Sequence, residues 1–195
     1  PTLLDTLSPR QWAAGFAEAV KTGLLAGGRL HRLCAGWEPG QGTVEARTDL
    51  VRLCSSYKVR VVTEDPREQG IRAFLNLGHT IGHGVEAVAG YGGLLHGEAI
   101  AVGLAAALWL SVQVRGLDPA VLADTEALLV RHGLPIRATG LAADAVGAAM
   151  RGDKKRAGGR PRFVLLDAVG APVHGIDPGD ELIARAVERA VSSAP

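Results

Sequence analysis

Four polar residues, Arg72, Asn76, His79 and His83, recur at spacings of +4, +3 and +4 in a stretch whose other members, Phe74, Leu75, Leu77, Ile81, Val85 and Val88, are apolar. On an α-helix that spacing puts all four on one side, so the sequence predicts one buried helix over 71–88 whose polar seam lines a cavity. Two imidazoles, an amide and a guanidinium are costly to bury without partners. One divalent metal and one anionic ligand would satisfy them all. Taken alone, His79 and His83 form an i, i+4 two-histidine chelate, the geometry of HExxH metalloproteases. Thr80, Ile81 and Gly82 lie between them, so no glutamate base is present and a metalloprotease is disfavoured. A histidine pair satisfied within the core remains the plainer alternative.

Three other neighbourhoods could face the same cavity. Glu18 and Lys21 sit three apart in Phe16-Ala17-Glu18-Ala19-Val20-Lys21, which on spacing alone reads as an exposed ion pair. His96-Gly97-Glu98 opens an otherwise apolar helix, where the choice lies between a charge-assisted cap and a site. Asp153-Lys154-Lys155-Arg156 precedes a glycine pair and reads either as a solvated basic turn or as an anion clamp.

The elements that must position these groups are mainly helical. Ser8-Pro9 is an N-cap followed by proline at the first helical position, opening a helix that should run past Lys21 toward Gly27 and Gly28. Further helices are predicted over 44–62, 71–88, 96–115, 119–132, 142–150 and 181–191. Only 162–166 and 172–176 pattern as strands, separated by Val169-Gly170, and they should form one hairpin. No βαβ alternation, no GxGxxG after a strand and no internal repeat is visible. The expected fold is therefore mainly α, a helical bundle with one small β-hairpin, forming a single domain over 1–195.

With 195 residues, 47% of them hydrophobic, the chain can build a full core. Its net charge of +1 gives no bias toward nucleic acid or acidic membranes. Cys34 and Cys54 lack CxxC spacing, which argues against a disulfide or zinc knuckle and fits a reducing, cytoplasmic setting. The apolar run 99–114 falls short of the roughly 20 residues a bilayer span needs and reads as a core helix, so no membrane association is expected. No signal-peptide pattern opens the chain. It starts Pro1-Thr2-Leu3 without methionine, as expected of a piece of a longer protein.

Glu64-Asp65-Pro66-Arg67-Glu68-Gln69-Gly70-Ile71-Arg72-Ala73-Phe74-Leu75-Asn76-Leu77-Gly78-His79-Thr80-Ile81-Gly82-His83, then Leu95-His96-Gly97-Glu98-Ala99, flanked in order by Ala17-Glu18-Ala19-Val20-Lys21 and Asp153-Lys154-Lys155, resembles the C-terminal domain of the 3-dehydroquinate synthases. The resemblance runs from Leu7 to the hairpin. It implies that Glu18, His79 and His96 ligate zinc, or cobalt in its place, and that His83 is a catalytic group rather than a ligand. It further implies that Lys58 and Arg72 bind a substrate carboxylate, that Lys21 and His83 lie beside the reacting hydroxyls, and that Asn76 and Lys154 help hold phosphate. Carboxylate and imidazole donors suit zinc, and a guanidinium fork suits a carboxylate.

The reaction implied is conversion of 3-deoxy-D-arabino-heptulosonate 7-phosphate, a phosphorylated sugar acid, to 3-dehydroquinate and phosphate in the shikimate pathway. NAD serves as a recycled cofactor held mainly by an N-terminal α/β domain that this chain lacks. By the same resemblance the chain alone would be inactive, and the full enzyme would be a homodimer. Cyclitol-forming sugar-phosphate cyclases and, more distantly, iron-dependent alcohol dehydrogenases share the architecture. A non-catalytic helical metal-binding module is the alternative from another class.

Overall fold

The computed structural model describes residues 1–40, 42–90, 93–155 and 161–192, with the side chains of 152–155 outside the description. Helix α1 spans Pro9–Ala26, α2 Gly28–Ala35, α3 Val44–Glu64, α4 His79–Ala89, α5 His96–Arg115, α6 Pro119–Arg131, α7 Ala143–Lys155 and α8 Asp180–Ala190. Strands β2 (Phe163–Ala168) and β3 (Ala171–Ile176) pair antiparallel, while β1 (Ala138–Thr139) and β4 (Val191–Ser192) form a two-residue parallel pair. The mainly α expectation holds, and the second, minimal sheet is an addition to the single predicted hairpin.

Local chemistry explains most boundaries. Ser8 caps α1 through a reciprocal pair of bonds with Gln11, with Pro9 at the first position; this is a capping box. Thr43 accepts from the Ala46 amide to start α3, and Asp118 from the Ala120 amide to start α6. One helix was not expected. After α1 stops at Gly27 the chain turns and resumes at once as α2, whose eight residues are too few to show a clear period.

The predicted helix over 71–88 is two pieces. Residues Ile71–Asn76 form a 3-10 turn, Leu77 is non-helical, and Gly78 takes φ +80° before α4 begins at His79. Arg72 and Asn76 therefore do not share one helix face with His79 and His83. The cause is the packing of Gly78 against α5: a side chain at Gly78 would fall 2.9 Å from the Leu104 amide nitrogen, and one at Gly103 only 2.0 Å from the Gly78 carbonyl oxygen. Chain and helix touch backbone to backbone there, and a continuous α-helix through 78 cannot lie so close.

Helix α5 is the axle of the bundle. Ala99, Ile100, Ala101, Val102, Leu104 and Leu108 are fully buried, and α1, α4, α6, α8 and β2 all pack on it. It is long and apolar enough to cross a membrane by composition, but 78% of that window is buried inside the protein, as in a core helix. Ser111 fastens the hairpin to it, donating to the Ala107 carbonyl and accepting from the Leu166 amide at 3.0 Å. At the other end, a β-carbon on Gly97 would lie 1.9 Å from the Ala14 carbonyl oxygen of α1.

Gly97→Ala tests that approach. Helix propensity alone favours alanine by about 1 kcal/mol, but the clash is with backbone that cannot rotate away, and overpacking of this kind typically costs about 1–3 kcal/mol. Urea unfolding should show a net loss of stability for Gly97→Ala. Gly15→Ala, where nothing lies within 4 Å of the added carbon, should gain about 0.5–1 kcal/mol. Equal effects at the two positions would contradict the contact.

Candidate functional site

Seven of the nine residues expected at the site line one cavity of about 740 Å³: Glu18, Lys21, Lys58, Arg72, Asn76, His79 and His96. Helix α1 brings Glu18 and Lys21, α3 brings Lys58, the 3-10 turn brings Arg72 and Asn76, and α4 and α5 each contribute their first residue. His83, one turn into α4, faces instead an adjoining cavity of about 920 Å³ that it shares with Asn76, His79, Arg162 and His174. Lys154 lies on the last turn of α7, which continues past the predicted end at 150; its side chain is outside the described residues.

The two histidines that converge with Glu18 are His79 and His96, not His79 and His83. His79 Nε2 and His96 Nε2 each stand 3.8 Å from Glu18 Oε1. That is too long for a hydrogen bond, yet it suits two ligands held about 2 Å from a common ion. Glu18 Oε1 is buried with no hydrogen-bond partner, an expensive state for a carboxylate oxygen that a cation would relieve. The donor set of one carboxylate and two imidazoles fits zinc or cobalt. A second group of potential ligands, His83, Glu86 and His96, adjoins it on the exposed side.

Orientation of the two rings is set by their other nitrogens. His79 Nδ1 lies 3.2 Å from the Leu77 carbonyl; that contact requires the proton on Nδ1 and turns the Nε2 lone pair toward Glu18. Burial, and after it the Lys21 ammonium, lowers the His79 pKa to about 4, so the ring is neutral and able to ligate at physiological pH. His96 Nδ1 lies 3.3 Å from Glu86 Oε2.

Glu18 and Lys21 do form the expected ion pair, Nζ to Oε2 at 2.7 Å, but not on the surface. Lys21 is only 5% exposed and holds one carboxylate oxygen while the other faces the imidazoles. Glu98 resolves toward its structural reading. It accepts two bonds from Arg10, at 2.6 and 2.7 Å, and one from the Leu95 amide at 2.8 Å, so it clamps the start of α5 to α1 rather than entering the ligand set.

Arg72 owes its place to a turn rather than to helix spacing. The Asp65 carboxylate accepts from the amides of Gln69, Gly70 and Arg72 at 2.8–3.0 Å, and Arg72 Nη1 donates to the Pro66 carbonyl at 3.0 Å. Glu68, at φ +56°, also lines the cavity and sits 3.9 Å from Arg72 Nε. Sequence reasoning missed the roles of Glu68 and Asp65 although both continue the spacing backward from Arg72, by −4 and then −3, because they precede the predicted start of the helix at 71. It could have found Glu86, because the same spacing extended by +3 from His83 reaches it.

Bundle, hairpin and a carboxylate–imidazole cluster beside a basic cavity together describe a helical domain with a candidate metal centre. A profile of the family described as 3-dehydroquinate synthase C-terminal matches residues 15–156. The chain is 39% identical over 193 residues to the 3-dehydroquinate synthase of Gloeobacter violaceus, covering 96% of this chain and 53% of that protein. It is 42% identical over 185 residues to that of Opitutus terrae, covering 93% and 51%. The chain belongs to the 3-dehydroquinate synthase C-terminal family, and it spans about half the length of the curated relatives it matches.

Among solved structures, 2-epi-5-epi-valiolone synthase from Streptomyces hygroscopicus subsp. jinggangensis, with NAD+ and Zn2+ bound, superposes with a TM-score of 0.84 at 24% identity, covering 96% of this chain and 53% of that one. A 2-deoxy-scyllo-inosose synthase complexed with carbaglucose-6-phosphate, NAD+ and Co2+ gives 0.77 at 23%, covering 97% and 54%. At such identities the likeness establishes the fold.

Hydrogen bonds from the Gln69 and Arg72 amides hold the Asp65 carboxyl below its ordinary range. A carboxylate whose folded-state pKa is depressed contributes its stability above the unfolded value of about 4 and loses it as pH falls through the folded value. Amide protection factors at Gln69, Gly70 and Arg72 should therefore drop below about pH 4, and Asp65→Ala should lower them already at neutral pH while leaving α5 protected. Hydrogen exchange read by mass spectrometry checks this; full protection in the variant would contradict it.

Proposed function

We propose that this chain is the metal- and substrate-binding half of a 3-dehydroquinate synthase, which with an N-terminal NAD-binding domain converts 3-deoxy-D-arabino-heptulosonate 7-phosphate to 3-dehydroquinate and phosphate in the shikimate pathway. One observation carries the reading: the partnerless, buried Glu18 Oε1 faces His79 and His96 at 3.8 Å, in a cavity that also presents Lys21, Lys58 and Arg72. Identities of 37–42% to curated 3-dehydroquinate synthases support the same branch.

Glu18, His79 and His96 would hold the metal. When bound, a zinc or cobalt ion would polarise oxygens on neighbouring substrate carbons and acidify the proton that is lost with the phosphate. Arg72, braced by Asp65 and the Pro66 carbonyl, would present its guanidinium fork to the carboxylate, with Lys58 adding a second positive charge. Asn76, which borders both cavities, would hold phosphate together with Lys154. Lys21 would lie beside the reacting hydroxyls, and His83, outside the ligand set, would carry the proton.

No strand followed by GxGxxG and a helix occurs among the described residues, so NAD would be bound by the N-terminal domain and the chain alone would turn nothing over. The full enzyme would act as a cytoplasmic homodimer. Cys34 and Cys54 are both free thiols, as a reducing compartment favours. The second reading, a cyclitol-forming cyclase, is favoured by the fold likeness to the valiolone and inosose synthases.

Metal content separates the ligand sets. His96→Ala should abolish stoichiometric zinc measured by plasma mass spectrometry, and His83→Ala should leave it nearly intact; equal loss in both would restore the i, i+4 chelate of His79 and His83. Substrate choice separates the branches. With the N-terminal domain restored, the enzyme should cyclise the carboxylate-bearing heptulosonate phosphate and ignore sedoheptulose 7-phosphate. Arg72→Ala should cost on the order of 2–5 kcal/mol in kcat/KM for the acid. An enzyme that prefers the neutral sugar, or full activity in Arg72→Ala, would move the chain to the cyclitol branch.

A further inference from the structure

His96 is the more weakly held of the two imidazoles facing Glu18. It is the first residue of α5, and its side chain is 48% exposed against 14% for His79. Packing alone leaves such a ring free to rotate and to exchange tautomers. His79 is fixed by burial and by the Leu77 carbonyl, whereas the polar partner on the far nitrogen of His96 is Glu86 Oε2, 3.3 Å from Nδ1.

Glu86 lies on α4, two turns beyond His79, so one helix carries both an imidazole of the centre and the carboxylate that reaches the other imidazole. The gap between them is set where α4 meets α5: a β-carbon on Gly82 would lie 3.0 Å from the Ala99 carbonyl, and one on Gly103 would lie 2.6 Å from the Gly82 amide nitrogen. A carboxylate that accepts the Nδ1 proton of a histidine leaves the Nε2 lone pair for a metal, fixes the ring plane and raises ligand basicity.

We propose that Glu86 is a positioning residue for the metal centre: it accepts from His96 Nδ1 and so aims His96 Nε2 at the ion shared with Glu18 and His79. The inference rests on the metal reading of the preceding section. It also assigns a purpose to the adjoining group of His83, Glu86 and His96. At 3.3 Å Glu86 Oε2 is within hydrogen-bond reach of His96 Nδ1, while Nε2 of the same ring faces Glu18; Glu86 is therefore read as the acceptor at Nδ1, and an ion at His83, Glu86 and His96 is the rival that the zinc stoichiometry separates from it.

The test is zinc affinity of the full chain, measured by competition with a chromophoric chelator, for wild type, Glu86→Gln and Glu86→Ala, alongside visible spectra of the cobalt-loaded forms and melting of the metal-free proteins. Loss of such an outer partner typically weakens metal binding 10–100-fold. Glu86→Ala should therefore bind one equivalent of zinc with affinity lowered by about that factor and with an altered cobalt absorption band. Glu86→Gln, which keeps an acceptor oxygen, should recover part of the loss. Metal-free melting temperatures should coincide, which a merely structural role would not allow. Wild-type zinc affinity in Glu86→Ala would overturn the positioning role alone. Two equivalents in wild type, of which Glu86→Ala loses one and keeps the other unchanged, would replace it with a second ion at His83, Glu86 and His96. Failure of the wild-type chain to take up any zinc would overturn the metal centre and this role together.

Discussion

Backbone contact of α5 with α1 and with the start of α4 governs everything else in this molecule. Gly97 lets the first turn of α5 rest on the Ala14 carbonyl of α1, and Gly103 lets its middle rest on Gly78 and Gly82 at the start of α4. Glu18 follows Ala14 by one helical turn, His96 precedes Gly97, and His79 follows Gly78. The three groups that converge are thus each within a turn of a place where backbones touch. Such contacts leave no side chain to adjust, so positions are transmitted with little slack. A side chain larger than hydrogen at either glycine would separate the helices and, with them, the carboxylate from the imidazoles.

Charge is distributed around that geometry with one deliberate gap. Glu98 is saturated by Arg10 and the Leu95 amide, and Asp65 by three amides; both are tied into structure and unavailable as ligands. Glu18 is half satisfied, with Lys21 on Oε2 and nothing on Oε1. An unpartnered buried oxygen destabilises the metal-free protein, and the same oxygen becomes favourable once a cation shares it. The cost of the gap and the proposed affinity for a metal are two faces of one arrangement.

Polarity is graded along the cavity as well. Lys21 is sealed beside Glu18 at its inner end, while Lys58 and Asn76 are exposed at its mouth. Asn76 and His79 also border the second cavity, where His83, Arg162 and His174 gather. A substrate bound as proposed would have its carboxylate and phosphate ends met by different segments of chain. That division explains why five separate segments contribute to one site.

Much was determined by the sequence alone. Ser8-Pro9, Asp118-Pro119 and the glycine and proline stops marked most helix ends, because those signals are local hydrogen bonds and backbone preferences that need no tertiary partner. The hairpin was legible too, from two short strand-like runs separated by Val169-Gly170. The motifs around Glu18, Arg72, His79 and His96 named the family and the candidate ligands, whereas spacing by itself paired His79 with His83 and the structure sets His79 and His96 against Glu18. What tertiary structure decided was everything that depends on how close two helices come. It broke the seam at Gly78, because α5 presses there on the backbone. It buried Lys21, turned Glu98 into a clamp and set Glu86 against His96. Periodicity reports which face of a helix is polar; it carries no information about which residue on a different helix will meet that face, and the site is made of such meetings.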